Sequence, residues 1–483
     1  MTETTQTLDG DAVAPAPTTP AWEPQQIAAL AVIAVVGVIV ALTQTLLVPV
    51  MGAIQADLGS STAGTQWLLT STLLSAAVAV PVFGRLGDLY GKRLMLMVAT
   101  GALAVGSLVC ALTSDLTVMI AGRAITGMSA AAIPLGISLI GQILPRERAG
   151  GGIALVSATL GVGGALGLPL AALVAEHADY HVLFWICAAG GALAVAGMLF
   201  FVSEPAGRAQ GRLDLVGSVL LGATLIALLL PLSQAKAWGW GDPRTLGLLA
   251  AAVVGLVVFV LVEKRIASPL IDVVANARPA LLLTNVASIC VGFALFASLI
   301  GTASFVQAPP EAGYGFGSSV LEGGLAMLPS GVMMLLLSPV SAKLSARFGP
   351  KVTLALGASI VALGFVVRIV LVDAYWQVLV GTTIAGAGTG IAYAAMPSLI
   401  LLGAKQSQLA AANGLNALCR TTGSSLASAA GGTLLASMTV TLAGSELPSL
   451  AGYRTLFAIC AGAALVGALV ALVIPAATER ELG

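Results

Sequence analysis

The chain is a near-continuous succession of apolar runs, each about twenty residues long, separated by short turns that hold most of its charge. A helix needs about 20 residues to cross the roughly 30 Å hydrocarbon core, and inside lipid it must satisfy its own backbone hydrogen bonds. By that ruler, spans are predicted near 27–50, 66–83, 94–113, 117–140, 151–175, 182–202, 214–234, 245–262, 280–306, 321–341, 352–371, 375–402, 410–437 and 454–475. No soluble core could hide this much apolar surface: 58% of the 483 residues are hydrophobic and only 9% are charged. The fold class that follows is an all-α integral membrane protein embedded in a lipid bilayer.

Sparse charge makes placement informative. Cytoplasmic loops collect Lys and Arg. With the N-terminus inside, 15 of the 21 basic residues fall in cytoplasmic segments, among them Arg85, Lys92, Arg93, Arg148, Arg212, Lys264, Lys343 and Arg347. Outer loops hold only Lys236, Arg244 and Arg454, while Arg123, Arg368 and Arg420 fall within spans. A miscounted helix would scramble that alternation, so an even number of spans with both termini cytoplasmic is expected. The formal net charge is zero, which leaves no basic field for nucleic acid. The five cysteines lie singly in apolar runs, away from His177 and His181, so neither a metal site nor a cofactor is expected.

The chain repeats itself. Leu86–Arg93 reads L-G-D-L-Y-G-K-R after the second span, and Leu344–Lys351 reads L-S-A-R-F-G-P-K after the tenth, an offset of 258 residues. Parallel repeats of six helices around a midplane cavity are a transporter architecture. The resulting organisation is a disordered tail over 1–26, a six-helix bundle over 27–202, an inserted pair over 214–262, a second six-helix bundle over 280–475 and a cytoplasmic tail over 476–483.

The loop after the second span, Gly84-Arg85-Leu86-Gly87-Asp88-Leu89-Tyr90-Gly91-Lys92-Arg93, reads as a short charged turn punctuated by glycine. A positive-inside loop explains Lys92 and Arg93 but not Gly84, Gly87, Asp88 and Gly91 at this spacing. The pattern resembles that of the major facilitator superfamily, G-x-L-x-D-x-x-G-R/K-R/K, matched at Gly84, Leu86, Asp88, Gly91, Lys92 and Arg93. Leu89 departs from the basic residue often found there. The resemblance covers about residues 27–475. With an inserted central pair it is similar to the fourteen-helix drug:H⁺ antiporter branch, which implies two six-helix bundles plus two inserted helices. It also implies a small amphiphilic substrate, protons as the coupling ion and a monomer in the plasma membrane. It assigns Asp88 a locking role through contacts across the two halves.

The fifth span, Gly161 to Ala172, resembles the exporter pattern G-x-x-x-G-P-x-x-G-G at Gly163 and Gly167. Pro169 sits one place late and Ala171 and Ala172 replace the last two glycines. Bare chemistry reads this stretch as helix packing; the resemblance reads it as an exporter mark. Arg123 in the fourth span sits in Ala121-Gly122-Arg123-Ala124-Ile125-Thr126-Gly127, similar to the family's R-x-x-x-G. A mid-helix Arg costs about 2.5–3.5 kcal/mol on insertion scales, so it lines a pathway or is held by backbone carbonyls. Arg420 poses the same alternative, whereas Arg368 is expected to snorkel to the outer surface. Gln44, Asn285, Asn413 and Asn416 line a cavity or glue helices together. Asn413, Asn416 and Arg420 share one helix face.

Many fourteen-helix relatives carry a first-helix Asp in a D-x-T run. The corresponding stretch here is Thr43-Gln44-Thr45, with no carboxylate. The nearest proton candidate is Glu322, in Leu321-Glu322-Gly323-Gly324 at the outer mouth of the tenth span, where partial desolvation would favour protonation. The alternative is an ordinary helix-start Glu. An enzyme is disfavoured because no His, Cys or carboxylate cluster accompanies the spans. The expected function is proton-driven export of lipophilic drugs or an antibiotic; import or facilitation of a metabolite is the alternative. On the expected topology, a cysteine at Asp179 reacts with an impermeant reagent added outside and one at Lys92 does not; labelling of both would overturn the orientation.

Overall fold

A computed structural model describes residues 23–475, apart from 206–208, 267, 406–407 and 443–444. The expected N-terminal tail up to residue 22, Arg208, and the expected C-terminal tail from residue 476 lie outside the described residues.

Hydrocarbon-length helices follow the apolar runs in order. The first half consists of α1 (Pro24–Thr45), α2 (Thr62–Tyr90), α3 (Lys92–Ala111), α4 (Leu116–Ile143), α5 (Arg146–His177) and α6 (His181–Phe201). The inserted pair is α7 (Leu215–Trp238) and α8 (Pro243–Glu263). The second half consists of α9 (Pro279–Gln307), α10 (Val320–Phe348), α11 (Pro350–Val370), α12 (Tyr375–Gly403), α13 (Leu409–Ser437) and α14 (Leu450–Val473). Among the described residues thirteen helices are both long and apolar enough to cross a membrane. The other, α13, has the length, at 29 residues, but carries Asn413, Asn416, Arg420 and many Ser, Thr and Gly residues. A two-stranded hairpin, β1 (Thr439–Leu442) and β2 (Ser445–Pro448), joins α13 to α14.

Packing repeats between the halves. Helix α1 packs on α5, α2 on α4, α3 on α4 and α3 on α6; the counterparts α9 on α13, α10 on α12, α11 on α12 and α11 on α14 recur in the second half. Two crossed contacts join the halves, α2 with α13 and α10 with α5, and they too exchange under the same correspondence. The 258-residue offset reappears in the backbone. Pro81 and Pro339 both lie inside the second helix of their half. Gly91 and Gly349 end those helices at φ +122° and +84°, where an L side chain would be strained.

The inserted α7 lies against both α2 and α13, and α8 packs on α7. Leu221, Leu225 and Leu229 of α7 share an apolar cluster with Ala77 of α2 and Leu418 of α13. Inside lipid there is little hydrophobic drive between helices, so close approach at small residues carries the packing. On the α9–α13 seam, a β-carbon on Gly423 would meet the Ile289 carbonyl, and one on Gly292 would meet the backbone of Arg420.

The charged stretch after the second span is more helical than expected. Helix α2 runs on through Asp88 to Tyr90 and α3 restarts at Lys92, leaving only Gly91 between them. Arg85, Asp88 and Lys92 are buried at this junction, so helix geometry satisfies a backbone that no water reaches. Lys92 is therefore a poor site for surface labelling, and the exposed Lys264 serves better for the opposite face.

The seam gives a paired prediction. Gly423→Ala should destabilise the purified protein by about 1–3 kcal/mol, as overpacking does. Gly432→Ala, on the same helix with open space around the new methyl, should leave the melting temperature unchanged or slightly raised. Equal melting of the two variants would contradict the close approach.

Candidate functional site

At one end of the molecule α2 meets the start of α13. A β-carbon on Gly84 would lie 3.0 Å from the Ala410 carbonyl oxygen, so a side chain there would press on the α13 backbone. That closeness brings Asp88, 2% exposed, onto the first turn of α13. Its Oδ1 accepts from the Ala410 amide at 3.3 Å and its Oδ2 from the Ala411 amide at 3.0 Å. Those amides have no partner within their own helix and carry its positive dipole end, so a carboxylate satisfies both needs. Lys92 Nζ stands 3.3 Å from Asp88 Oδ1 within the same half.

Neighbouring residues hold this junction. The Glu204 carboxylate accepts from the Lys92 amide at 2.8 Å and the Leu94 amide at 3.4 Å, capping α3 across Gly91. A side chain on Gly91 would collide with that carboxylate. The Ala209 amide donates to the Asp88 carbonyl at 2.8 Å, and Arg93 Nη2 donates to the Leu199 carbonyl at 2.9 Å. Arg93 thus ties α3 to α6 and makes no bond to α13 in this arrangement. Sequence reasoning passed over Glu204, whose only signal is an isolated acid just after the sixth span.

The second crossed contact is built from small residues. Gly163 and Gly167 face α1 within their own half: a β-carbon on the first would meet the Val38 carbonyl and Ala41, and on the second Thr45. The face of α5 turned toward α10 is a different one. There Gly161 meets Met334, Ala165 meets Gly331, and Gly324 lies against Leu168 and Pro169. Gly324 and Gly331 were not singled out from sequence, because small residues in a membrane helix carry no mark of which neighbour they face.

Interior polar side chains sort into two groups. In the first half Arg123, 3% exposed, donates over long distances to the Thr43 carbonyl at 3.4 Å and the Leu68 carbonyl at 3.5 Å. It borders a small cavity with Thr43, Ser107, Phe184 and Cys187. In the second half Asn416 Nδ2 donates to Asn285 Oδ1 at 3.0 Å and Ser288 Oγ at 2.6 Å, and Arg420 Nη1 donates to Asn416 Oδ1 at 3.0 Å. The Arg420 guanidinium also lies 5.1 Å from the Tyr393 ring centre. Neither arginine makes an ion pair with a carboxylate among the described residues. Asn285, Asn416 and Arg420 are therefore brought together, and Ser288 and Tyr393 join them. Asn413 shares their helix face but donates back to Leu409 of its own helix. Gln44 is exposed.

Two expectations change. Arg368 does not snorkel: it is 1% exposed, donates to Ser298 Oγ at 3.0 Å and stacks 3.9 Å from the Phe457 ring centre. The aromatic face repays part of the desolvation that reaching water would have avoided. Glu322 is exposed rather than desolvated. It forms a capping box with Ser319, accepting from the Ser319 amide at 2.8 Å while its own amide donates to Ser319 Oγ at 3.2 Å.

Comparison with known proteins bears on what this architecture is. The family model described as Major Facilitator Superfamily matches residues 33–428 and 289–482. The chain is 30% identical over 417 residues to the tetracenomycin C resistance and export protein of Streptomyces glaucescens, covering 84% of this chain and 76% of that one. It is 27% identical over 423 residues to the probable actinorhodin transporter of Streptomyces coelicolor, covering 84% and 71%. It is 27% identical over 378 residues to the multidrug resistance protein Stp of Mycobacterium tuberculosis, covering 77% and 69%. The crystal structure of the human organic anion transporter MFSD10 matches with a TM-score of 0.66 over 93% of this chain and all of that one; at 13% identity, that is a likeness of fold alone. Repeated halves, crossed helix contacts and sequence match together place the chain in the Major Facilitator Superfamily of membrane transporters.

Proposed function

We propose that this transporter exports lipophilic drugs or an antibiotic across the plasma membrane by alternating access, driven by proton influx, with both termini in the cytoplasm. The observation that carries alternating access is the seating of Asp88 on the α13 amides. A few charge-assisted bonds close one end and an apolar seam of small residues closes the other, so opening either end breaks a compact set of contacts. The likeness to a tetracenomycin C resistance and export protein, a probable actinorhodin transporter and a multidrug resistance protein supports the cargo class. Gly84, Asp88, Gly91, Lys92 and Arg93 are the gating elements of the cytoplasmic end in this reading, with Gly163, Gly167 and Pro169 shaping α5. Arg123, Asn285, Asn416 and Arg420 are its polar lining.

Overexpression should raise resistance in a panel of chemically diverse antibiotics, and inverted membrane vesicles should accumulate the same compounds against a gradient until the proton gradient is collapsed. Accumulation in the opposite direction would mean import. Asp88→Asn should insert at normal abundance yet shift the conformational balance about ten-fold or more, because bonds to a charged acceptor are worth about 1.5–3 kcal/mol. Full transport by this variant would reduce the junction to a topology signal.

Glu322 receives a different expectation from its geometry. Glutamine keeps the capping box, so Glu322→Gln should match wild type in uphill efflux. Glu322→Ala should cost about 0.5–2 kcal/mol in thermal stability. A selective loss of gradient-driven efflux in Glu322→Gln would restore it as a proton carrier.

A further inference from the structure

The inserted helix pair carries a feature that the transport reading does not use. Asp214 caps the start of α7, its Oδ1 accepting from the Gly217 amide at 2.9 Å. Its other oxygen, Oδ2, is buried without a hydrogen-bond partner, and so are both oxygens of Glu263 at the end of α8. Asp214 and Glu263 are 9% and 3% exposed. The two carboxyls converge on Gly217, where an added β-carbon would collide with both Asp214 Oδ2 and Glu263 Oε1. Asp214 Oδ2 and Glu263 Oε1 thus face the same point with no side-chain donor between them.

Among the described residues no cation is paired with them. Arg212 before α7 and Lys264 and Arg265 after α8 are exposed to solvent. Arg85 of the adjoining α2 is buried beside Gly211 and lines the cavity next to the strap, and it is not among the groups acting on Glu263. Asp88 is engaged with the α13 amides, Arg420 of α13 is held by Asn416, and Asp272 lies further along the strap after α8. The groups that act on Glu263 are Asp214 and the backbone amides of Leu270 and Ile271 in that strap. Two ionised carboxylates sealed together without a cation are mutually repelled, and the least costly remedy is a single hydrogen held between them. A donor then exists between the two carboxyls, where no side chain supplies one, and it joins one oxygen of each residue.

We infer that Asp214 and Glu263 form a proton-binding site on the inserted helices, outside the path between the two halves, and that its occupancy governs how tightly the strap of residues 268–272 holds the cytoplasmic junction. The link is short. Leu270 and Ile271 pack into the apolar cluster that joins α7 to α2 and α13. Next in the strap, Asp272 accepts from Gln408, the residue that precedes α13, at 3.5 Å. A small cavity lined by Arg85, Pro269, Leu270, Asp272, Asn276 and Gln408 lies beside the strap. Loading draws the carboxyls together and seats the strap; release leaves two like charges under it and loosens it. The site is loaded at low pH and emptied as pH rises.

The test uses full-length protein in detergent and requires no cargo. Infrared titration of the wild type should show a protonated-carboxyl band that disappears as pH is raised, and both Glu263→Gln and Asp214→Asn should lose that band. In hydrogen exchange at the same high pH, the strap of the wild type should exchange about ten-fold faster than that of Glu263→Gln, whose amide supplies the missing donor permanently. The exchanged pair Asp214→Glu with Glu263→Asp should restore both signals, which guards against a variant that merely folds poorly. A band that survives both single substitutions would overturn the shared proton, and equal strap exchange in wild type and Glu263→Gln at every pH would overturn its hold on the junction.

Discussion

Asp88 gives up its hydration to bind the unpaired amides of a helix from the other half, and one end of the molecule closes around that exchange. A buried carboxylate is tolerated only where donors are fixed in place, and close packing around Asp88 fixes them. Glycine at 84 admits the α13 backbone, glycine at 91 admits Glu204, and Glu204 in turn fixes the start of α3. The inserted α7 runs along both partners of this contact, so the extra pair braces the junction rather than hanging at the periphery.

The internal repeat makes the singularity of this contact visible. Ala346 stands 258 residues after Asp88, and it is exposed, as are its neighbours Arg347 and Phe348. Backbone features of the repeat survive in both copies, whereas the buried charge exists in one. A two-fold arrangement of helices is thereby combined with an electrostatic contact at one place only. The corresponding α5–α10 contact relies on Gly161, Gly324 and Gly331 and on van der Waals fit. The two crossed contacts therefore differ in how they respond to salt, pH and charge substitution.

The helix count, the repeat and the loop motif were legible because each is written in composition or in fixed spacing. What hydropathy cannot express is facing. Gly163 and Gly167 were visible as small residues, yet their partner is α1, and the residues meeting the other half lie on another side of the same helix. Arg368 and Glu322 were misplaced for a related reason. Proximity to a helix end says that water or a dipole is near, but not that Phe457 covers the guanidinium or that Ser319 has taken up the carboxylate. Asp214 and Glu263 each look like ordinary helix-end acids; only the antiparallel pairing of α7 and α8 reveals that they share a space.

The glycine seam between α9 and α13 has a consequence for selectivity. Backbones that touch at Gly292 and Gly423 leave little freedom for one helix to slide on the other, so Asn285, Ser288, Asn416 and Arg420 travel as a unit. A pump must hold its cargo unequally on the two sides of the membrane. A cluster of fixed geometry presents the same donors in either orientation, and by itself it cannot generate that inequality. On the proposed transport cycle, any difference in grip would have to come from surfaces that approach and leave this cluster as the two halves move.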